Sequence, residues 1–259
     1  MRVIVVCPVG LSPPVVTEFF KYLREKTEYY PFKFILIGTK NEMVRGGIKI
    51  IRYSIWEVDK KIDIREVYVD YNDVDSQDAA IDFISKLGNA LIDGLKDDPN
   101  AGILINIAGG RKSMVVISTL IAQLIRPSRV YHVIHKDIKL YNEKLKRMEN
   151  KIKLISRLSG DESYNFFKKY YNEFMELMYP PIEDLSIMEI PLLPYPRKMI
   201  EVLIRVLKNP IEEDKLDLDK EEIEELINAG VIERKKLDDR IFIYPTKSLK
   251  MLENIIIKS

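Results

Sequence analysis

The chain has 259 residues, 46% of them hydrophobic, with 41 Lys and Arg against 40 Asp and Glu. A net charge of +1 lacks the basic excess of a general nucleic-acid binder, and the single cysteine, Cys7, excludes a disulfide framework or a thiolate metal cluster. No apolar run reaches membrane-spanning length, and the N-terminus enters a strand-like run without a signal peptide, so we expect a cytoplasmic protein.

Residues 2–7 read as a buried strand. The turn after it is Gly10-Leu11-Ser12-Pro13-Pro14-Val15-Val16-Thr17-Glu18. Gly10 and the prolines make a sharp exit into a helix over 14–27, and a proline suits its first turn. Ser12 is either that helix's N-cap or a hydroxyl offered to a ligand at the sheet edge. Strands at 32–38, 64–69, 102–107 and 129–135 follow, interleaved with helices at 79–95 and 112–126. Within 40–59, a helix around 44–53 fits the pattern. This alternation predicts a parallel, Rossmann-like sheet with helices on both faces.

The fourth strand runs into Asn106-Ile107-Ala108-Gly109-Gly110-Arg111-Lys112-Ser113-Met114. A Gly-Gly turn lets backbone approach a ligand closely, and the open N–H groups of the next helix favour an anion. Arg111 and Lys112 add full positive charge there. Asn106 either contacts a base or braces the turn. In an open parallel sheet, ligands bind beyond the carboxyl ends of the strands, where both turns lie.

Residues 138–158 read as a charged connection. A helix follows from Gly160 to Met178, with Tyr164, Phe167, Tyr171, Phe174 and Met178 on one apolar face. Lys169 projects from nearly the opposite side and Lys168 from the flank. Pro180-Pro181 stops that helix, and Pro191, Pro194 and Pro196 mark a linker. We expect domains at 1–180 and 191–259. The second has the pattern of a winged helix-turn-helix: a helix over 196–208, a second opened by Asp219 and Glu222 and closed by Gly230, a hairpin around Asp238-Asp239, and a last helix over 246–257. It carries 13 Lys and Arg against 14 Asp and Glu, and its second helix is acidic, which argues against DNA binding.

Together the two turns resemble the CRISPR-associated Rossmann-fold (CARF) family, with its Gly-Gly-(Thr or Arg)-Lys-x-Met turn. The stretch from Gly10 to Glu18 is similar to the stand-alone ring nucleases of archaeal type III CRISPR systems. That resemblance, over roughly the first 180 residues, implies a homodimer binding cyclic tetra-adenylate through Gly10, Leu11, Asn106, Gly109, Gly110, Arg111, Lys112, Met114 and Lys168. It implies catalysis by Ser12 and Lys169, giving di-adenylates with 2′,3′-cyclic phosphate ends. We expect neither metal nor cofactor, since no cluster has metal-ligand spacing. The alternative is a ligand-sensing CARF–winged-helix transcription regulator.

Two Arg-x5-His strings, ending at His132 and His135, resemble the motif of the HEPN ribonucleases. Both histidines fall in an apolar strand, where a structural role is expected. The missing Gly-x-Gly-x-x-Gly after the first strand argues against an NAD(P)-binding oxidoreductase.

Overall fold

In the computed structural model, five strands lie parallel: β1 (Arg2–Pro8), β2 (Tyr30–Gly38), β3 (Asp63–Tyr68), β4 (Gly102–Asn106) and β5 (Ser128–His135). The sixth, β6 (Leu185–Ile190), pairs antiparallel with β5 and gives the order β3-β2-β1-β4-β5-β6. The structure describes residues 1–125, 128–193 and 195–257. The expected helix end at Arg126, which also opens one of the Arg-x5-His strings, and the linker residue Pro194 lie outside them.

The intervening helices are α1 (Pro14–Lys26), α2 (Glu42–Val58), α3 (Gln77–Asp97) and α4 (Lys112–Leu124). Strand residues alternate between faces. Val3, Val5, Cys7, Phe34 and Leu36 join a core with α1 and α2, while Ile4 and Ile35 face α3 at Gly94. Every side chain from Val3 to Cys7 is fully buried, as expected of a central parallel strand covered on both sides.

The sequence expectation holds no strand at β6, and three helical elements beside this sheet differ from it as well. First, α2 extends beyond 44–53 at both ends; at its start the Asn41 side chain caps it by accepting from the Met43 amide at 2.9 Å.

Second, the charged stretch 138–158 is a helix, α5 (Ile138–Arg157), capped by Asp137. Its narrow stripe of Tyr141, Met148, Ile152 and Ile155 packs on α2. A Cβ on Gly46 would stand 1.9 Å from the Ile152 carbonyl oxygen, so the two backbones nearly touch.

Third, the helix expected over Gly160–Met178 breaks at Tyr170 into α6 (Gly160–Lys169) and α7 (Tyr171–Met178). The break leaves Phe167 and Phe174 fully buried and stacked at 5.5 Å. Lys169 is therefore a helix-end residue rather than one projecting from a continuous helix.

The chain divides into two compact units, Met1–Ala122 with Arg126–Leu192, and Gln123–Ile125 with Leu193–Ser259. The second holds α8 (Arg197–Lys208), β7 (Ile211–Glu212), α9 (Lys220–Asn228), β8 (Ile232–Leu237), β9 (Arg240–Pro245), α10 (Lys247–Met251) and α11 (Glu253–Ile256). Its strands pair antiparallel in the order β7-β9-β8. An Asp219–Glu222 capping box starts α9, as the sequence predicts.

Candidate functional site

Strand order reverses between β1 and β4, and a cavity of about 210 Å3 opens at their carboxyl ends. Every parallel strand but β5 sends a residue into it. Gly10, Leu11 and Ser12 follow β1; Thr39 and Asn41 follow β2; Asn72 follows β3; and Gly109, Gly110, Arg111 and Met114 follow β4. Such a switch point is where this sheet architecture takes ligands.

Three glycines let the first and fourth loops close on each other. A Cβ on Gly10 would lie 2.9 Å from the Gly110 nitrogen, and one on Gly109 would lie 2.4 Å from the Pro8 carbonyl oxygen. Gly110 has φ +88°, and its Cβ would meet Pro8 at 2.9 Å. Any side chain here would force the loops apart or strain them.

Ser12 lines the cavity and is not a cap. The N-cap of α1 is Pro13, without a side-chain hydrogen bond, and Ser12 Oγ lies 2.6 Å from the Tyr141 hydroxyl of α5. Tyr141 is held above the ordinary phenol range, chiefly by burial; the Ser12 bond lowers it and the Glu18 charge raises it. His135 packs on the Tyr141 ring at 5.1 Å, and its Nδ1 accepts from the Asp137 amide.

The other expected residues fall into three groups. Leu11 is half exposed at the rim, Met114 is buried, and the Arg111 amide donates to its sulfur. The Arg111 guanidinium meets Asp73 at 2.8 Å, while Lys112 is exposed and has no ion pair among the described residues. The amides at the start of α4 have no carbonyl one turn back, which leaves the helix entrance suited to an anion.

Asn106 is a brace. Its amide nitrogen donates to the Val15 carbonyl in the first turn of α1 at 2.9 Å, and its oxygen accepts from the Ala108 amide of its own turn at 3.0 Å.

Lys168 and Lys169 are not brought to this cavity. Lys168 pairs with Glu57 at 3.0 Å, near the C-terminal end of α2, whereas Val44 of the cavity lies near the N-terminal end. Those positions are about 20 Å apart along the helix. Lys169 stands over the Tyr170 ring at 5.4 Å.

Sequence reasoning missed Tyr141, Thr39, Asn41, Asn72 and Asp73. Asn41 had a readable signal, a capping residue ahead of an apolar period. A larger open groove of about 980 Å3 in the C-terminal unit is lined by Glu212, Glu213, Asp214, Asp219 and Asp239 against Lys215, Lys220 and Arg240, the wrong balance for an anion. Among the described residues no group of three or more His, Cys, Asp or Glu could hold a metal ion, and no helix is long and apolar enough to cross a membrane.

No curated protein matches the chain. Among solved structures, Enterococcus italicus Csm6 bound to cyclic hexa-2′-fluoro-hexa-dAMP is similar at 13% identity and TM-score 0.47, over 80% of this chain and 46% of that one. Can2 from Sulfobacillus thermosulfidooxidans, in complex with cyclic tetra-adenylate, is similar at 12% identity and TM-score 0.33, over 97% of this chain and 61% of that one. The chain thus spans between about half and two thirds of the length of these proteins. A family model described as CRISPR-associated protein NE0113 matches residues 12–224, from the cavity serine into the C-terminal unit. The chain belongs to this CRISPR-associated NE0113 family.

Proposed function

We propose that the protein is a homodimeric ring nuclease, a CARF-type enzyme that binds cyclic tetra-adenylate and opens it to di-adenylates with 2′,3′-cyclic phosphate ends. The observation that carries this reading is the meeting of Ser12 with the Gly109–Arg111 turn in one cavity at the switch point of the sheet. At about 210 Å3 the cavity is smaller than the roughly 300–1,000 Å3 that enclose a drug-sized molecule, so it suits one phosphate–ribose unit rather than a whole ring. Two copies related by a two-fold axis would share a symmetric ligand. Leu11, Ile138 and Leu140 supply exposed apolar surface for that pairing.

In this reading a ribose 2′-hydroxyl gives up its proton as its oxygen attacks the adjacent phosphorus, the bond to the 5′-oxygen breaks, and that oxygen takes up a proton, so the proton count is unchanged. The nucleophile is part of the substrate, so the protein's share is alignment and charge stabilisation. Alignment supplies about 7–11 kcal/mol in favourable intramolecular cases. Ser12 orients the reacting unit, and Arg111, Lys112 and the α4 amides hold phosphates. Because Lys169 is remote from Ser12 within one protomer, its catalytic role here requires delivery by the partner.

We read residues 1–180 as the ligand-binding domain and 191–259 as a winged helix-turn-helix domain, with β8 and β9 as the wing. Arg234 of β8 pairs with Glu213 and Glu224, Lys235 with Glu233, and Arg240 of β9 with Glu212. These pairings occupy three of the four wing cations, Lys236 being the exception, which favours the enzyme over a transcription regulator. The test is incubation with labelled cyclic tetra-adenylate in excess EDTA, followed by chromatography. Linear di-adenylates are expected, and intact rings with tight binding would reduce the protein to a receptor.

A further inference from the structure

Asn72 stands at the cavity mouth, and its side chain has no hydrogen bond among the described residues. The other polar side chains of that wall are already committed. Ser12 shares its hydroxyl with Tyr141, and the Arg111 guanidinium meets Asp73. Thr39 Oγ1 accepts from the Asn41 amide at 3.4 Å, and Asn41 Oδ1 accepts from the Met43 amide at 2.9 Å. What Thr39 and Asn41 have left to offer is chiefly a donor. Asn72 keeps both an acceptor oxygen and a donor nitrogen.

The backbone on either side of Asn72 is fixed, although its side chain is not. Before it, the Tyr71 carbonyl accepts from the Lys40 amide after β2 at 3.0 Å. After it, Asp73 pairs with Arg111 at 2.8 Å, and the Val74 carbonyl accepts from the Ser113 hydroxyl at 2.6 Å. The last two bonds tie this loop to the anion turn itself. A side chain carried on so fixed a backbone loses little freedom on binding.

Sheet order sets where each part of a nucleotide falls. The lining runs from Asn72 after β3, past Thr39 after β2 and Ser12 after β1, to Gly110 and Arg111 after β4. Neighbouring strands lie about 4.8 Å apart, so β3 ends roughly 10 Å from β1. A nucleotide with its phosphate at the Gly110–Arg111 turn and its ribose beside Ser12 is long enough to bring its base to Asn72. The cavity is too small to take in the base as well, which leaves the base at the mouth.

Phosphate contacts hold a nucleotide without choosing its base; contacts to the base edge make the choice. An asparagine amide pairs bidentately with adenine, accepting from N6 and donating to N7. The same edge of guanine or hypoxanthine carries two acceptors, O6 and N7. Either orientation of the amide then sets its own oxygen against one of them. Among the described residues no carboxylate lines the cavity, so the N–H groups of guanine find no charged acceptor there.

We propose that Asn72 is the specificity-determining residue of the cavity, its amide reading the N6 and N7 edge of an adenine whose phosphate sits at the Gly110–Arg111 turn. This rests on the ring-nuclease reading for the ligand and adds the wall on which its base is recognised.

The test measures binding of cyclic tetra-adenylate and cyclic tetra-inosinate, whose hypoxanthine has O6 in place of the N6 amino group. Wild type should prefer the adenine ring by about tenfold or more. Asn72→Ala should lower adenine-ring affinity to that of the inosine ring and leave the inosine ring unchanged. Weakening of both rings by the same factor, the mark of a structural role, would overturn the proposal. So would equal binding of the two rings by wild type, which would leave the ring-nuclease reading standing. If wild type binds neither ring, the ring-nuclease reading fails, and AMP and IMP become the probes in a thermal-shift comparison. A preference for AMP that Asn72→Ala removes would then uphold the role of Asn72, and equal shifts in wild type would end it.

Discussion

Gly10 and Gly110 meet backbone to backbone, with room for no methyl group between them: a Cβ on Gly10 would stand 2.9 Å from the Gly110 nitrogen. The loop after the first strand and the loop after the fourth are therefore one structure, and the cavity exists because both residues are glycine. Alanine at position 110 faces two penalties, a positive φ and the Pro8 ring; alanine at position 10 faces only the steric one. Gly110→Ala should cost about 1–3 kcal/mol of stability and should lose anion binding; Gly10→Ala should lose binding at a smaller cost. Denaturant melts with ligand titration check this, and wild-type affinity in either variant would contradict the geometry.

Arg111 reaches the cavity already paired to Asp73, so a phosphate must compete for it. Asp73→Asn removes the competing charge while keeping the Oδ1 that accepts from the Val74 amide at 2.8 Å. With Arg111 about half exposed, the pair contributes at most about 1 kcal/mol. Ligand affinity should rise by up to about fivefold, readable by calorimetry; weaker binding would mean that Asp73 aids the site.

Much of this arrangement is legible in the sequence. The parallel sheet follows from buried runs alternating with amphipathic ones, and both cavity loops announce themselves by glycine and proline. The partner of Ser12 does not. Tyr141 lies 129 residues away on α5, whose apolar stripe is narrow and set among lysines and arginines, so the segment looks like a connection. The break at Tyr170 escapes detection for a related reason, because Phe167 and Phe174 keep a helical spacing across it. Local pattern locates elements, but it does not say which of them meet.

The crossing of α2 and α5 at Gly46 offers a test independent of function. Gly46→Ala puts a methyl within 1.9 Å of the Ile152 carbonyl oxygen, and backbone on both sides must move. Gly160→Ala meets nothing within 4 Å and pays only for φ +50°, about 1 kcal/mol. Gly46→Ala should cost clearly more, about 3 kcal/mol or above, comparable to severe core substitutions. Equal melting temperatures for the two variants would show that α5 does not lie on α2.

Ser12 and Lys169 can be examined by subunit mixing. Each single alanine variant should lose about 10²-fold in turnover while binding persists. A mixed dimer of Ser12→Ala and Lys169→Ala subunits contains one intact site only if serine and lysine come from different protomers. Since α2 holds the two regions about 20 Å apart within a chain, activity should return on mixing. Persistent inactivity of verified mixed dimers would remove Lys169 from the chemistry.

Glu18 also makes stability depend on pH in a definite direction. Burial raises its carboxyl from 4.5 to about 7 in the folded protein, so between those values the native state holds a proton that the unfolded chain has released. The contribution is fully favourable below 4.5, declines as pH rises towards 7 and is constant above it. The decline amounts to something on the order of 3 kcal/mol. Glu18→Gln lacks the titration, so the stability of E18Q relative to wild type should grow between pH 4.5 and about 7 by roughly that amount and then level off. Urea unfolding of both proteins across this range measures the gap directly. A gap that does not change with pH would mean that the folded protein pairs or hydrates the carboxyl.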